Sequence, residues 1–325
     1  MSDIRYDVTC IGNAIVDVIA SADEAFLVEN SIVKGAMNLV DETRSHLLYD
    51  RMPAGVEQSG GSAGNTAAGI ASLGGKAAYI GKVHDDQLGE IFAHDLRATG
   101  VHFATEMAST GPSTARCLII VTEDAQRSMN TYLGACVELG PEDIDEDVVT
   151  ASQVTYMEGY LFDPPKAKEA FRRAAKIAHE AGRKVSLTLS DSFCVDRYRD
   201  EFRDFIASHV DILFGNEEEI KSLYQVSSFD DAFQHLRGVC EIAALTRSEK
   251  GAVIVAGDEI HVLDAAPVKK VVDTTGAGDL YAAGFLFGVT NGRSLTEAHA
   301  IGAKAAAEII AQYGARPSRP LKSLI

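Results

Sequence analysis

No apolar stretch approaches the ~20 residues needed to cross a bilayer, so the chain is not expected to span a membrane. Residues Met1 to Tyr6 carry no basic stretch leading into an apolar one, so no secretory signal is expected. Cysteine is scarce. The five residues Cys10, Cys117, Cys136, Cys194 and Cys240 are scattered, odd in number and without metal spacing. That argues for free thiols in a reducing, cytoplasmic compartment. Positive charge is also short, with 30 Lys+Arg against 47 Asp+Glu and a net charge of −17. A chain this acidic repels a phosphate backbone, which disfavours nucleic acid as a partner, but local amides can still hold a small anion. The nine histidines show no ligand spacing. Neither the Walker P-loop nor the Gly-x-Gly-x-x-Gly dinucleotide fingerprint is present, which argues against an NAD-dependent oxidoreductase.

What is present is an alternation. At 325 residues the chain has room for about two domains or one large α/β unit. Short β-branched runs read as strands: Val8 to Ile11, Ala77 to Val83, Val154 to Met157, Val185 to Leu189, Val210 to Phe214, Ile242 to Thr246 and Val253 to Val255. Helical patterns lie between them, most clearly Lys166 to Ala181, where Ala170, Ala174, Ile177 and Ala178 share a face and Gly182 supplies a stop. The expectation is an α/β fold with a mainly parallel sheet covered on both faces. Two stretches break the rhythm, and no long helix is expected in them. Residues 15–59 and 103–133 are read as a discontinuous accessory β-sheet. The α/β core then comprises 1–14, 60–102 and 134–325.

The strongest local signal is Asp273-Thr274-Thr275-Gly276-Ala277-Gly278-Asp279, between a strand-like Lys269 to Val272 and a helix from Leu280 to about Gly288. Glycines let backbone amides converge, and a helix N-terminus adds positive potential, so an anion is expected over Gly276, Ala277 and Gly278. Asp279 in the first turn would be a carboxylate beside that anion, the arrangement phosphoryl transfer to an alcohol requires. The alternative is structural: Thr275 caps the helix and Asp279 complements its dipole. Asn13 and Asp17 offer donors and acceptors suited to vicinal hydroxyls, or form a turn. Gly60, Gly61 and Asn65 open a small-residue helix where a substrate could approach the backbone, or supply a hinge. Asn216 and Glu219 open another helix, as metal-associated residues or as a capping box.

Four of these segments occur in an order that resembles the PfkB, or ribokinase-like, carbohydrate kinase family: Gly12-Asn13 to Asp17, Gly60 to Asn65, Asn216 to Glu219 and Asp273 to Asp279. Gly12-Asn13-Ala14-Ile15-Val16-Asp17, Arg127-Ser128 and Val210 to Glu217 are most similar to its adenosine kinase branch. Ser62-Ala63-Gly64 stands where the ribokinase pattern often carries a lysine.

The resemblance implies a three-layer α/β/α domain with the accessory sheet as lid, and ATP-dependent phosphorylation of a nucleoside 5′-hydroxyl, adenosine to AMP in purine salvage. It implies Asp279 as base, with Gly276, Ala277, Gly278 and Arg127 around the transferred phosphate. Asn13, Asp17, Gly60, Gly61 and Asn65 would bind ribose, with Met129 and Leu133 as an apolar wall. Asn216, Thr246, Ser248, Gly251 and Gly278 would serve ATP, and Glu219 would hold Mg²⁺ through water. Asp273, Thr275, Gly314 and Ser318 would form a monovalent-cation site of K⁺ type. The alternatives are a ribokinase- or fructokinase-type sugar kinase, a guanosine/inosine kinase, or a nucleoside-binding sensor on the same fold. A monomer and a lid-mediated homodimer are both open.

Overall fold

A computed structural model describes residues 3–124 and 126–325. In chain order the strands are β1 (Tyr6–Ile11), β2 (Ile15–Ser21), β3 (Met37–Leu39), β4 (Val56–Ser59), β5 (Ala77–Ile80), β6 (His102–Phe103) and β7 (Ala115–Val121). They continue with β8 (Arg127–Tyr132), β9 (Ser152–Glu158), β10 (Lys184–Thr188), β11 (Ile212–Asn216), β12 (Ile242–Thr246), β13 (Ala252–Ala256) and β14 (Glu259–Leu263). Nine form one sheet in the order β14-β13-β12-β11-β10-β9-β1-β5-β6, parallel except for the two antiparallel pairings of β13.

Alternation along these strands feeds two cores. Val8, Cys10, Val154, Tyr156 and Phe214 pack on one side, and Ile11, Met157, Leu187 and Leu213 on the other. A sheet buried on both faces needs helices above and below, which gives three layers. Helix Pro165–Glu180 shows why the helices form. Pro165 occupies its first turn, where no amide donor is needed, and Ala170, Phe171, Ala174, Ile177 and Ala178 are buried on one stripe. Gly182, at φ +71°, ends it.

The second sheet has the order β3-β8-β7-β2-β4 and comes from the two arrhythmic stretches. Along β2 buried and part-buried residues alternate, whereas β7 is buried at six consecutive positions. Val16, Val18, Leu118 and Ile120 are buried on one face with Leu27, Ile32 and Leu48. Asp17, Cys117 and Thr131, aligned across β2, β7 and β8, line a cleft on the other face. Two short helices not read from the sequence, Glu24–Glu29 and Glu42–Arg51, stand in the first stretch, and Leu27 and Leu48 from them join that buried face. Each begins with an aspartate cap, Asp23 on the Phe26 amide and Asp41 on the Arg44 amide.

Two further readings change. Lys269 to Val272 is not a strand but a coil tied down by the Val272 amide on the Ile310 carbonyl, 2.8 Å. β14, unforeseen, returns from β13 through the two-residue turn Gly257-Asp258, with Gly257 at φ +59°. Among the described residues no helix is long and apolar enough to cross a membrane.

Candidate active site

The cleft, about 390 Å³, lies where the carboxyl ends of β10 to β12 meet the second sheet. Close by, the strand order reverses: β1 has β5 on one side and β9 on the other. Parallel α/β sheets leave such a crevice, and ligands occupy it.

Helix Ala277–Thr290 starts here. Its N-cap is Gly276 at φ +78°, with no side-chain cap. That left-handed backbone favours glycine, and a Cβ there would lie 2.7 Å from Ala315 Cβ. Gly278 differs, because a Cβ would meet nothing within 4 Å. Its bareness opens the turn to the cleft rather than satisfying the fold. The amides of Gly276, Gly278 and Asp279 have no protein partner among the described residues, as expected for an uncapped helix start. The Ala277 amide, expected to join them, donates instead to the Thr274 carbonyl at 3.2 Å, closing the turn.

Asp279 faces the cleft, held by Ser62 Oγ on Oδ1 (2.6 Å) and Asn65 Nδ2 on Oδ2 (2.9 Å). Burial pushes its carboxyl above the ordinary range, while those two donors and the Arg316 charge pull the other way. Asn65 was read as a ribose ligand. Its amide nitrogen is committed to Asp279, and its buried Oδ1 has no protein partner. An orphaned acceptor in a cleft lining suits a hydroxyl donor.

Asp17, on β2, lines the cleft, and burial pushes it up to about 6 against the lowering charges of Arg316 and Arg127. Gly60 and Gly61 are bare for packing reasons: a Cβ on Gly60 would lie 2.5 Å from the Asp17 carboxylate, and one on Gly61 2.2 Å from the Asn13 carbonyl. Asn13 is a correction. It is buried behind the cleft, and its Nδ2 and backbone amide both donate to Glu158 Oε1, at 2.7 and 2.9 Å. Met129 lines the cleft with Ile15 and Ile119, whereas Leu133 lies in a separate surface hollow with Leu39, Pro112 and Val137.

On the other flank, Asn216, Glu219 and Thr246 line the cleft. Asn216 Oδ1 accepts from the Glu218 and Glu219 amides, and Glu219 returns its carboxylate to Asn216 N and Nδ2. That is a complete capping box. Burial pushes Glu219 up to about 7. Each of its oxygens already accepts one hydrogen bond from Asn216. Among the described residues no group of three or more His, Cys, Asp or Glu could hold a metal. A sparse oxygen shell fits a hydrated Mg²⁺ that arrives with a nucleotide. Ser248 and Gly251 do not line the cleft. Gly251, at φ +83°, turns the chain against β14, where a Cβ would lie 1.9 Å from the Leu263 carbonyl.

The expected monovalent-cation site does not fit. Asp273 Oδ1 accepts Thr275 N (3.0 Å) and Thr275 Oγ1 (2.6 Å), and Oδ2 accepts Gly314 N (2.9 Å) and Arg127 Nη1. Ser318 is exposed and donates to Gln312 Oε1. Arg127, expected at the transferred phosphate, is therefore on Asp273 and Thr275 and outside the cleft lining.

Three contributors escaped the sequence reading. Ser62 holds Asp279. Glu158, buried at the end of β9, anchors Asn13 and the Ala63 amide, and burial raises it to about 7. A lone acid closing an apolar strand was its only signal. Arg316 donates to the Ser59 carbonyl, Ser59 Oγ and the Gly64 carbonyl (3.2, 3.2 and 2.9 Å), and burial lowers it to about 10. Gly314 on Asp273, Ala315 against Gly276 and Arg316 on Ser59 and Gly64 together bind the turn at 273–279 to the loop that carries Ser62 and Asn65. No periodicity marks such a strap.

Comparison with known proteins agrees with this geometry. The adenosine kinase of Sinorhizobium meliloti is 60% identical, with a TM-score of 0.90 over 98% of both chains. A probable sugar kinase of Rhizobium etli CFN 42 is 57% identical, with a TM-score of 0.91 over 99% of this chain and 98% of its own. The adenosine kinase of Saccharomyces cerevisiae is 27% identical over 336 residues, 97% of each chain. The model of the pfkB family carbohydrate kinases matches residues 7–322, nearly the whole chain, and the protein belongs to that family.

Proposed function

We propose that this protein transfers the γ-phosphoryl group of ATP, brought with Mg²⁺, to the 5′-hydroxyl of a nucleoside, adenosine being the first candidate, in the cytoplasm. The observation that carries the reading is the pairing of Asp279 with an uncapped helix start. One carboxylate, fixed by Ser62 and Asn65, stands in the same first turn as the unpartnered Gly278 and Asp279 amides. Asp279 accepts the hydroxyl proton as the oxygen bonds to phosphorus, ADP leaves, and the amides hold the charge that builds on the equatorial oxygens. Asp17 and Asn65 Oδ1 accept the ribose hydroxyls. Ile15, Ile119 and Met129 offer an apolar wall to the base, which favours a nucleoside over a free sugar. The second sheet acts as a lid that keeps water, a competing acceptor, out of the cleft.

The name of the Sinorhizobium relative supports adenosine; that of the Rhizobium relative keeps a sugar acceptor in view. A panel of nucleosides, ribose and fructose with ATP and Mg²⁺, read as ADP release, decides. Turnover is expected with adenosine well above the other purine nucleosides and the sugars. Turnover confined to ribose or fructose overturns the nucleoside reading, and none with any acceptor overturns the kinase reading.

A further inference from the structure

We propose that Arg127 is the built-in monovalent cation of the corner formed by Asp273, Thr275 and Gly314, so that the protein needs no K⁺ there. The activity arm of the test rests on the kinase reading; the stability arm does not.

The corner has no vacancy for a metal ion. A carboxylate offers about four lone-pair positions. Both positions on Oδ1 are taken by Thr275, and those on Oδ2 by Gly314 N and the Arg127 guanidinium. The same guanidinium nitrogen lies 3.2 Å from Thr275 Oγ1, so it spans the two side chains a cation would bridge. Ser318, the hydroxyl expected to complete an ion's shell, is exposed and paired with Gln312 Oε1 instead of with any residue of the corner. An ion added here would have to displace a like charge already in contact with the carboxylate.

The electrostatic need is real. Asp273 opens the turn that gathers the anion-facing amides, and its side chain is only 7% exposed. A bare carboxylate there would repel a migrating phosphoryl group. Burial pushes its carboxyl up, but the donors Thr275 and Gly314 and the Arg127 charge outweigh that and hold it below the ordinary range. A guanidinium suits the task, since it stays charged at any working pH and presents fixed donors. Arg127 Nε is buried without a partner, so the contact with Asp273 and Thr275, not a bond elsewhere, places the head group. Arg127 opens β8 of the second sheet. The neutralising charge therefore comes from the second sheet rather than from the turn it serves.

The test compares KCl with tetramethylammonium chloride at equal ionic strength, reading thermal unfolding and ADP release with adenosine. The wild-type protein is expected to show the same Tm and the same rate in both salts. Arg127→Gln vacates the corner. In tetramethylammonium it should lose roughly tenfold in rate (about 1.4 kcal/mol), and K⁺ should raise its Tm and restore part of the rate. Arg127→Lys, which keeps a charge, should remain indifferent to K⁺. A wild-type Tm or rate raised severalfold above error by K⁺ overturns the proposal, as does an Arg127→Gln protein with no K⁺ response in either readout. Should that variant not fold, the wild-type comparison alone decides. Failure of the kinase reading would appear as no ADP release in either salt while the Tm arm still reports.

Discussion

Two helices begin at the mouth of the cleft, each with a carboxylate in its first turn, and they treat their free amides in opposite ways. At Glu217–Tyr224 the amides of Glu218 and Glu219 are taken by Asn216, and Glu219 answers with its own carboxylate. At Ala277–Thr290 the cap is a glycine with no side chain, the amides of Gly278 and Asp279 are left without a partner, and Asp279 turns away to Ser62 and Asn65. A folded chain seldom leaves orphan donors beside a cavity without a ligand to receive them. The closed end is satisfied as a cap, and the open end is where the proposed function places an anion.

The sharpest way to break this comparison is at the base. Asp279→Asn keeps the size and the contact with Ser62 but cannot take the hydroxyl proton. A loss of about 10²–10⁴-fold in kcat is expected, with nucleoside affinity by calorimetry little changed. Near wild-type turnover would remove Asp279 from the chemistry and leave the open helix end without a catalytic partner.

Gly278→Ala tests the open end directly. A Cβ there meets nothing within 4 Å of protein, and alanine is favoured over glycine inside a helix by about 0.5–1 kcal/mol. The variant should therefore match or exceed the wild-type Tm while kcat/KM for ATP falls by roughly 10²-fold, the scale of a lost oxyanion donor. A drop in Tm with unaltered kinetics would mean that the glycine serves the fold.

A smaller effect is expected at Arg316. In the proposed reaction Asp279 and Asp17 act as carboxylates, and burial raises both, Asp17 to about 6. The rate should therefore fall on the acid side near pH 6, well above the range of an exposed carboxylate. The charges around the pair are Glu158 on β9 and Arg127 on β8, besides Arg316 itself. Removing a cation raises the pKa of a neighbouring acid. Arg316→Gln should thus move the acid limb of kcat/KM to higher pH, with a loss of about tenfold below the old midpoint, and Arg316→Lys should restore part of it. A uniform loss at all pH values would reduce Arg316 to a structural strap.

What could be read from the sequence follows from the range of the forces. The parallel strands announced themselves because a doubly buried strand must be apolar throughout, and Asp273 to Asp279 did so because a left-handed helix cap needs glycine within a few residues. The helix at Glu42–Arg51 was missed because it is largely polar and leans on the second sheet through little more than Ser45 and Leu48. The site was legible in its local turns and illegible in its cross-links. Asn13 on Glu158, Asn65 on Asp279, Arg127 on Asp273 and Arg316 on Ser59 join residues 145, 214, 146 and 257 positions apart. Which partner a polar side chain takes over such distances depends on how strands are ordered in the sheet, and no spacing in the chain records that.

The smallest effect should come from the closed end, and it decides whether the contrast between the two helices is one of kind. Asn216→Ala removes the side chain that caps Glu218 and Glu219 and leaves Glu219, at about 7, without its nearest donor. A cap of this type is worth ~1 kcal/mol, so a modest fall in Tm is expected. If the residue is only a cap, kcat and the Mg²⁺ concentration for half-maximal rate should change by no more than a few-fold, because the amides it frees lie on the flank of the cleft. A large rise in the Mg²⁺ requirement at an unchanged Tm would instead make Asn216 and Glu219 a water-mediated seat for the ion. The two helix starts would then be two halves of one phosphate site, divided between the metal and the bare amides.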